Sequence, residues 1–316
     1  MTRYLALSGG VGGAKLALGL MHALEPEDLA IVANTGDDFE HLGLTVCPDI
    51  DTLTYTLSGL SNAELGWGRA GETWTFMAAL KQLGGETWFN LGDGDLAIHV
   101  ERTRRLNAGD SLTQITDDFR TRLGIGPRIL PMSDQPVRTV IETPDGPIAF
   151  QHYFVRDRAE PPVTGFRFDG AALARPNPLL LDSLIDPALA AIIVCPSNPF
   201  ISIDPILAVP GIRGALVDCP APVIAVSPIV GGKAVKGPTA KMMRELGLPT
   251  DAVAVARHYG DLLDGFVLDR TDEAMAGQVR ELGLAVHVTN TVMQSLDDRI
   301  ALATQVLEFS RVFRRS

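Results

Sequence analysis

The most constraining feature of this chain is its opening. Residues 4–7 (YLAL) form a short apolar run and residues 8–13 (SGGVGG) a glycine-rich turn; residues 15–24 have helical spacing, and residues 29–33 (LAIVA) are apolar again. A strand, a Gly-rich turn, a helix and a second strand make a βαβ unit, and a βαβ unit implies parallel pairing through a crossover. Further buried-strand runs follow at residues 191–195, 223–226, 266–268 and 285–288. Helical stretches at residues 239–246, 272–282 and 295–313 separate or follow them. This alternation predicts an α/β fold, with a Rossmann-like, mostly parallel sheet covered by helices on both faces.

Between residues 51 and 123 the pattern changes. Segments 51–58, 72–83, 95–107 and 111–123 all have helical character, and no convincing strand separates them. Ser111 and Gln114 have the spacing of a capping box. We therefore expect a helical subdomain, residues 51–129, inserted into a nucleotide-binding core made of residues 1–50 and 130–316. Residues 137–142 and 148–155 flank Pro144-Asp145-Gly146, which predicts a hairpin. Residues 158–165 read as an exposed connection, and no internal repeat or low-complexity tract is present.

Composition narrows the function. The chain has 316 residues, 46% of them hydrophobic, enough for a sizeable core. It has no run of about 18 apolar residues, so no membrane association is expected. The first residues lack the features of a secretory signal. Cys47, Cys195 and Cys219 are far apart and show no metal-ligand spacing; a reducing cytoplasm is the expected setting. The net charge of −11 argues against a nucleic-acid partner. It leaves room for a phosphate-rich small ligand, because backbone amides and a metal hold phosphates without many cationic side chains.

Five segments carry candidate chemistry. In Ser8–Lys15 (SGGVGGAK), Gly10, Gly12 and Gly13 let the backbone approach a diphosphate at the positive end of the following helix, with Lys15 beside them; a ligand-free βα turn is the alternative. The segment is neither a P-loop nor a full dinucleotide fingerprint. Asp37 and Asp38 (NTGDD) end the second strand, where open α/β sheets bind ligands, and Asp49 and Asp51 (CPDIDT) follow. Carboxylates gathered this way suit a hard cation such as Mg²⁺, although Asp51 also fits the N-cap of the next helix. Trp67 and Trp74, in GWGRAGETW, either stack on a flat ring or fill a core. In LGDGDLA, Asp93 or Asp95 is expected to cap a helix that places His99 and Arg102 on one face. Ser197 and Asn198 (CPSNPFISI) form a stiff polar loop after a strand, suited to a base or sugar, or a plain turn. Lys233 and Lys236 follow the next strand and offer phosphate contacts.

Taken in order, SGGVGGAK, NTGDD, CPDIDT, GWGRAGETW, LGDGDLA, PSNPFISIDPIL, GIRGAL and SPIVGGKAVKGP resemble the 2-phospho-L-lactate transferase family from about residue 4 to residue 307. The resemblance implies a cytoplasmic, Mg²⁺-requiring enzyme of coenzyme F(420) biosynthesis, typically a homodimer, with a Rossmann-type core and a helical insertion. It implies two small-molecule substrates, a guanosine diphospho-acid and the deazaflavin Fo. The terminal hydroxyl of Fo's ribityl chain attacks the phosphorus next to the acid and GMP leaves. The donated acid is phospholactate, or an enolpyruvyl or phosphoglyceryl group in some bacterial members. On that reading Asp37, Asp38, Asp49 and Asp51 carry the metal and the catalysis. Gly10, Gly12, Gly13, Lys15, Ser197, Asn198 and Lys233 hold the donor, and Asp49, Trp67 and Trp74 contact Fo. The general base is expected among the aspartates. A sugar-nucleotide-binding regulator of the gluconeogenesis factor type is the rival, and a nucleotide-dependent transferase with another acceptor a third reading. Fo binding separates the first from both.

Overall fold

A computed structural model describes residues 3–62, 66–234 and 237–313. Its centre is a seven-stranded parallel sheet: β1 (Tyr4–Ser8), β2 (Leu29–Ala33), β3 (Arg128–Pro131), β4 (Ala191–Val194), β5 (Val223–Val226), β6 (Gly265–Asp269) and β7 (Ala285–Thr289). The spatial order is β7-β6-β5-β4-β1-β2-β3, with every pair parallel. Continuous apolar runs mark strands covered on both faces, and β1, β2, β4, β5 and β6 are buried at every position. Alternate residues feed two cores: Leu5, Leu7, Ala30 and Val32 one face, Tyr4, Ala6, Leu29 and Ile31 the other.

The helices that matter for the site are α1 (Gly10–Ala23), α2 (Pro48–Leu57), α3 (Thr75–Gln82), α4 (Asp93–Asn107), α5 (Leu112–Arg122) and α6 (Leu296–Ser310). α1 begins at Gly10, not at residue 15, so the glycine run is itself the first helical turn. α2 to α5 lie between β2 and β3 in the chain, after a small hairpin of Phe39–His41 with Leu44–Val46. Ser111 forms the capping box with Gln114 that its spacing predicts. α3 and α4 cap each other. Glu72 accepts from the amides of Gly94 (2.6 Å) and Asp95 (2.8 Å), and Asp93 accepts from those of Thr75 and Phe76 (3.1 Å each). Asp93 thus caps the start of the preceding helix instead of its own, because the two N-termini converge and each supplies the other's acceptor.

Some boundaries differ from the sequence expectation. β3 escaped notice because it is only four residues long and ends in Pro131, which an edge strand tolerates. Residues 148–155 do not form one strand: only Ile148–Ala149 pairs with Arg138–Glu142, and His152–Arg156 coils into a π-helical turn. Phe150 and Phe154 stack across that turn at 5.5 Å, a contact an extended strand would not make. Gly165–Asp169, read as lying beyond an exposed connection, pairs along the whole of Arg138–Glu142 and completes a three-stranded antiparallel sheet. Residues 272–282 split into a 3-10 turn, Arg270–Met275, and a short helix, Ala276–Arg280.

Candidate active site

β1 sits where the strand order reverses, with β2 on one side and β4 on the other. At such a switch point the loops leave in opposite directions and open a crevice at the carboxyl ends of the strands. A cavity of about 560 Å³ lies there. One wall comes from the core: the first turn of α1, the loop Pro196–Ser197–Asn198 after β4, and Ser227, Thr239 and Thr291 beyond β5 and β7. Another part of the lining comes from the segment between β2 and β3, through Tyr55, Trp67, Phe89, Asp95 and His99, and a third from Phe150 and Phe154. Asp37, Asp49 and Asp51 line the cavity as well.

The glycines answer first to the protein's own packing. A Cβ on Gly12 would stand 2.4 Å from the carbonyl oxygen of Pro196, and one on Gly13 would stand 2.5 Å from Ser197 Oγ. The close approach of α1 to the β4 loop therefore demands them. The same approach brings α1's positive end, with first-turn amides that have no intrahelical acceptor, to the cavity. Ser197 clamps this junction: its hydroxyl accepts from Gly9 N (3.1 Å) and donates to Gly9 O (2.8 Å). Asn198 caps the next turn, accepting from Phe200 N at 2.9 Å. Lys15 lines the cavity and donates from Nζ to Met293 O at 2.8 Å. Lys233 is exposed on a small hairpin and does not line the cavity; Lys236 lies outside the described residues.

The four aspartates are all buried, but they do not form one cluster. Asp49 and Asp51 share the first turn of α2. Two residues along a helix turn the side chain by about 200°, so a shared face, as in an extended stretch, is impossible. Asp49 faces α1, accepting from Gly10 N at 2.6 Å and from Asn34 Nδ2 at 2.9 Å. Asp51 does not cap α2, whose N-cap is Cys47; it lines the cavity and forms a buried ion pair with Arg102 through both carboxylate oxygens, Oδ2 at 3.1 Å from Nη1 and Oδ1 against Nη2. Asp37 lies near Asp49, and its Oδ1 has no hydrogen-bond partner among the described residues. Asp38 turns toward Cys47 and Arg138 and does not line the cavity. Burial raises the carboxyl of Asp37 well above its usual range, and the charge of Asp49 raises it further. Burial pushes Asp49 up to about 6 against the pull of Asn34 and Gly10. It pushes Asp38 up to about 7 against that of Arg138 and Cys47. Among the described residues no group of three or more His, Cys, Asp or Glu side chains is arranged to hold an ion unaided.

Trp67 is half-exposed on the cavity rim. Trp74 stands apart, in an adjoining cavity of about 470 Å³ that shares Trp67 and Asn90 with the first. Sequence reasoning missed Tyr55, Phe89, Phe150 and Phe154, which give the cavity most of its aromatic lining. No periodicity or motif distinguishes them from core residues; only the convergence of α2, the loop before α4 and the π-helical turn does.

Residues 5–304 match the family described as 2-phospho-L-lactate transferase CofD. A phosphoenolpyruvate transferase from Kitasatospora aureofaciens is 41% identical over 319 residues, covering 99% of both chains. One from Streptomyces coelicolor is 40% identical, covering 99% of this chain and 100% of its own. One from Thermobifida fusca is 44% identical over 284 residues, covering 85% and 87%. The fold is also that of a Bacillus halodurans protein of the upf0052 family, at TM-score 0.64 and 16% identity over 97% of this chain and 98% of that one. No helix among the described residues is long and apolar enough to cross a membrane. With its sequence matched almost from end to end, this chain belongs to the 2-phospho-L-lactate transferase family of transferases.

Proposed function

We propose that this protein transfers a phospho-acid from a guanosine diphospho-acid to the terminal ribityl hydroxyl of Fo, releasing GMP, in coenzyme F(420) biosynthesis. The enolpyruvyl group is the donor's acid on this reading, because the relatives compared above are named phosphoenolpyruvate transferases. One observation carries the reading. A single cavity joins an anion-attracting helix start, three buried carboxylates (Asp37, Asp49 and Asp51) and an aromatic wall.

The two walls suit two substrates. α1's positive end favours the diphosphate, and Ser227, Thr239 and Thr291 give the adjoining lining the polar character a nucleoside needs. The Trp67, Phe89 and Phe154 side suits a flat ring. Asp37 and Asp49 fit a hard cation of the kind held by one or two carboxylates and completed by substrate phosphates, since Asp37 brings an unpartnered buried oxygen to the cavity. A bound Mg²⁺ there supplies neutralisation of the charge that develops on the diphosphate. Asp51 also lines the cavity but is paired with Arg102, and Asp38 lies off the cavity beside Cys47 and Arg138. In-line attack at phosphorus needs positioning and charge neutralisation more than covalent help; Asp49, hydrogen-bonded to Gly10, fixes α1 against α2 for that purpose.

The test is turnover with Fo, Mg²⁺ and each of the lactyl, enolpyruvyl and phosphoglyceryl guanosine diphospho-acids, read by mass spectrometry. An Fo–phosphoenolpyruvyl adduct is expected. No adduct from any donor with folded protein overturns the function, and an adduct from another donor alone overturns the choice of acid.

A further inference from the structure

Asp95 sits in the first turn of α4, yet it does not cap that helix, because Glu72 already accepts from the amides of Gly94 and Asp95. Its carboxylate points instead to the cavity wall, with the side chain 18% exposed. One oxygen, Oδ1, accepts a hydrogen bond from the hydroxyl of the buried Tyr55. The other, Oδ2, stands 3.2 Å from Nε2 of His99, close but not aligned as a full hydrogen bond.

His99 is held from behind. Arg102 Nη1 lies 3.3 Å from His99 Nδ1. A guanidinium only donates, so Nδ1 is the acceptor and the ring's single proton sits on Nε2, facing Asp95. Arg102 is itself fixed by Asp51 and by the carbonyl of Thr45 at 3.3 Å. The chain Asp51–Arg102–His99–Asp95–Tyr55 thus fixes Asp95 at the cavity surface among aromatic side chains, with the ion-paired Asp51 at its other end.

A carboxylate has about four lone-pair directions; the Tyr55 hydroxyl takes one and His99 Nε2 stands near another, which leaves acceptor capacity on the cavity side. With His99 neutral, Asp51 and Asp95 outweigh the single charge of Arg102. This part of the lining repels phosphate and favours a neutral ligand rich in hydroxyl donors.

We propose that Asp95 is the hydroxyl-binding residue of the acceptor wall. It accepts a hydrogen bond from the polyol chain of an aromatic acceptor, and His99, Arg102 and Tyr55 are positioning residues that aim it. The proposal rests on the transferase reading above, and it assigns which end of the cavity takes which substrate.

The experiment is a fluorescence titration with Fo and with the same deazaflavin ring lacking the side-chain hydroxyls, on wild type, Asp95→Asn and Tyr55→Phe. Only the ratio of the two affinities is read, which cancels any loss of folded protein. Wild type is expected to bind Fo more tightly than the hydroxyl-free ring by about tenfold to a hundredfold, the range for a hydrogen bond to a charged group. Asp95→Asn should shrink that ratio by about tenfold, and Tyr55→Phe by a smaller factor. An unchanged ratio in Asp95→Asn, with wild type still binding Fo, overturns the role of Asp95 alone. Failure of wild type to bind Fo overturns the transferase reading and this assignment with it.

Discussion

Arg102→Met tests whether the buried ion pair holds α4 against α2. Arg102 is 1% exposed and Asp51 5% exposed, and the guanidinium makes two contacts to the carboxylate besides those to Thr45 and His99. Met fills much of the same space, so the loss is mainly electrostatic. Removing one partner of a buried pair strands the other charge, which costs about 3–5 kcal/mol, whereas replacing both partners is close to neutral. For a chain of 316 residues, an unfolding entropy of about 2.1 cal/mol/K per residue converts that to a fall in melting temperature of about 5–8 °C. The double variant Asp51→Asn/Arg102→Met should recover most of it, and a cycle of the two single variants and the double gives the coupling directly. The assay is thermal unfolding by circular dichroism at pH 7.5, with calorimetry to check that one transition is being read. If Arg102→Met melts within about 1 °C of wild type, or the double variant is worse than either single one, the pair does not compensate its own burial and the reasoning fails.

Other outcomes follow from the same geometry. Gly12→Ala places a Cβ 2.4 Å from Pro196 O, a backbone atom with little room to move; destabilisation of about 1–3 kcal/mol is expected by denaturant titration, and wild-type stability would refute the packing explanation. Asp38 is raised to about 7 by burial, so its folded form holds a proton that the unfolded chain releases near pH 4. The stability contribution is present below pH 4 and lost as pH rises toward 7. Asp38→Asn should flatten the stability profile across that window and melt higher than wild type at pH 8; a profile parallel to wild type contradicts the burial argument. Mg²⁺ should raise the melting temperature more at pH 8 than at pH 5, because protonation competes at Asp37 and Asp49; Asp37→Ala should abolish the rise, and an equal rise in that variant would place the ion elsewhere. Trp67→Ala should raise the KM for Fo more than Trp74→Ala, since only Trp67 lines the main cavity; the reverse order in steady-state kinetics would reassign the ring pocket.

Much of this protein is written locally. β1, β2, β4, β5 and β6 are dominated by continuous apolar runs, and a run buried on both faces marks a parallel sheet wherever it occurs. The glycine segment, the paired aspartates and the loop at Ser197 stand at strand ends, so the position of the site at the sheet's carboxyl edge follows from order along the chain alone. The family follows from the motifs in sequence. What the chain could not reveal depends on contacts between distant segments. Whether Asp49 and Asp51 share a face is decided by where α2 begins, and α2 begins at Pro48. Whether a glycine serves a ligand or a neighbour is decided by Pro196, 184 positions from Gly12. Asp93 has the spacing of a cap, but which helix it caps is settled only when the starts of α3 and α4 converge. Asp95, His99, Arg102 and Tyr55 gain chemical meaning from one another's positions. A carboxylate's role is set by the donors and charges within a few ångströms, and those come from segments that the fold, not the sequence order, brings together.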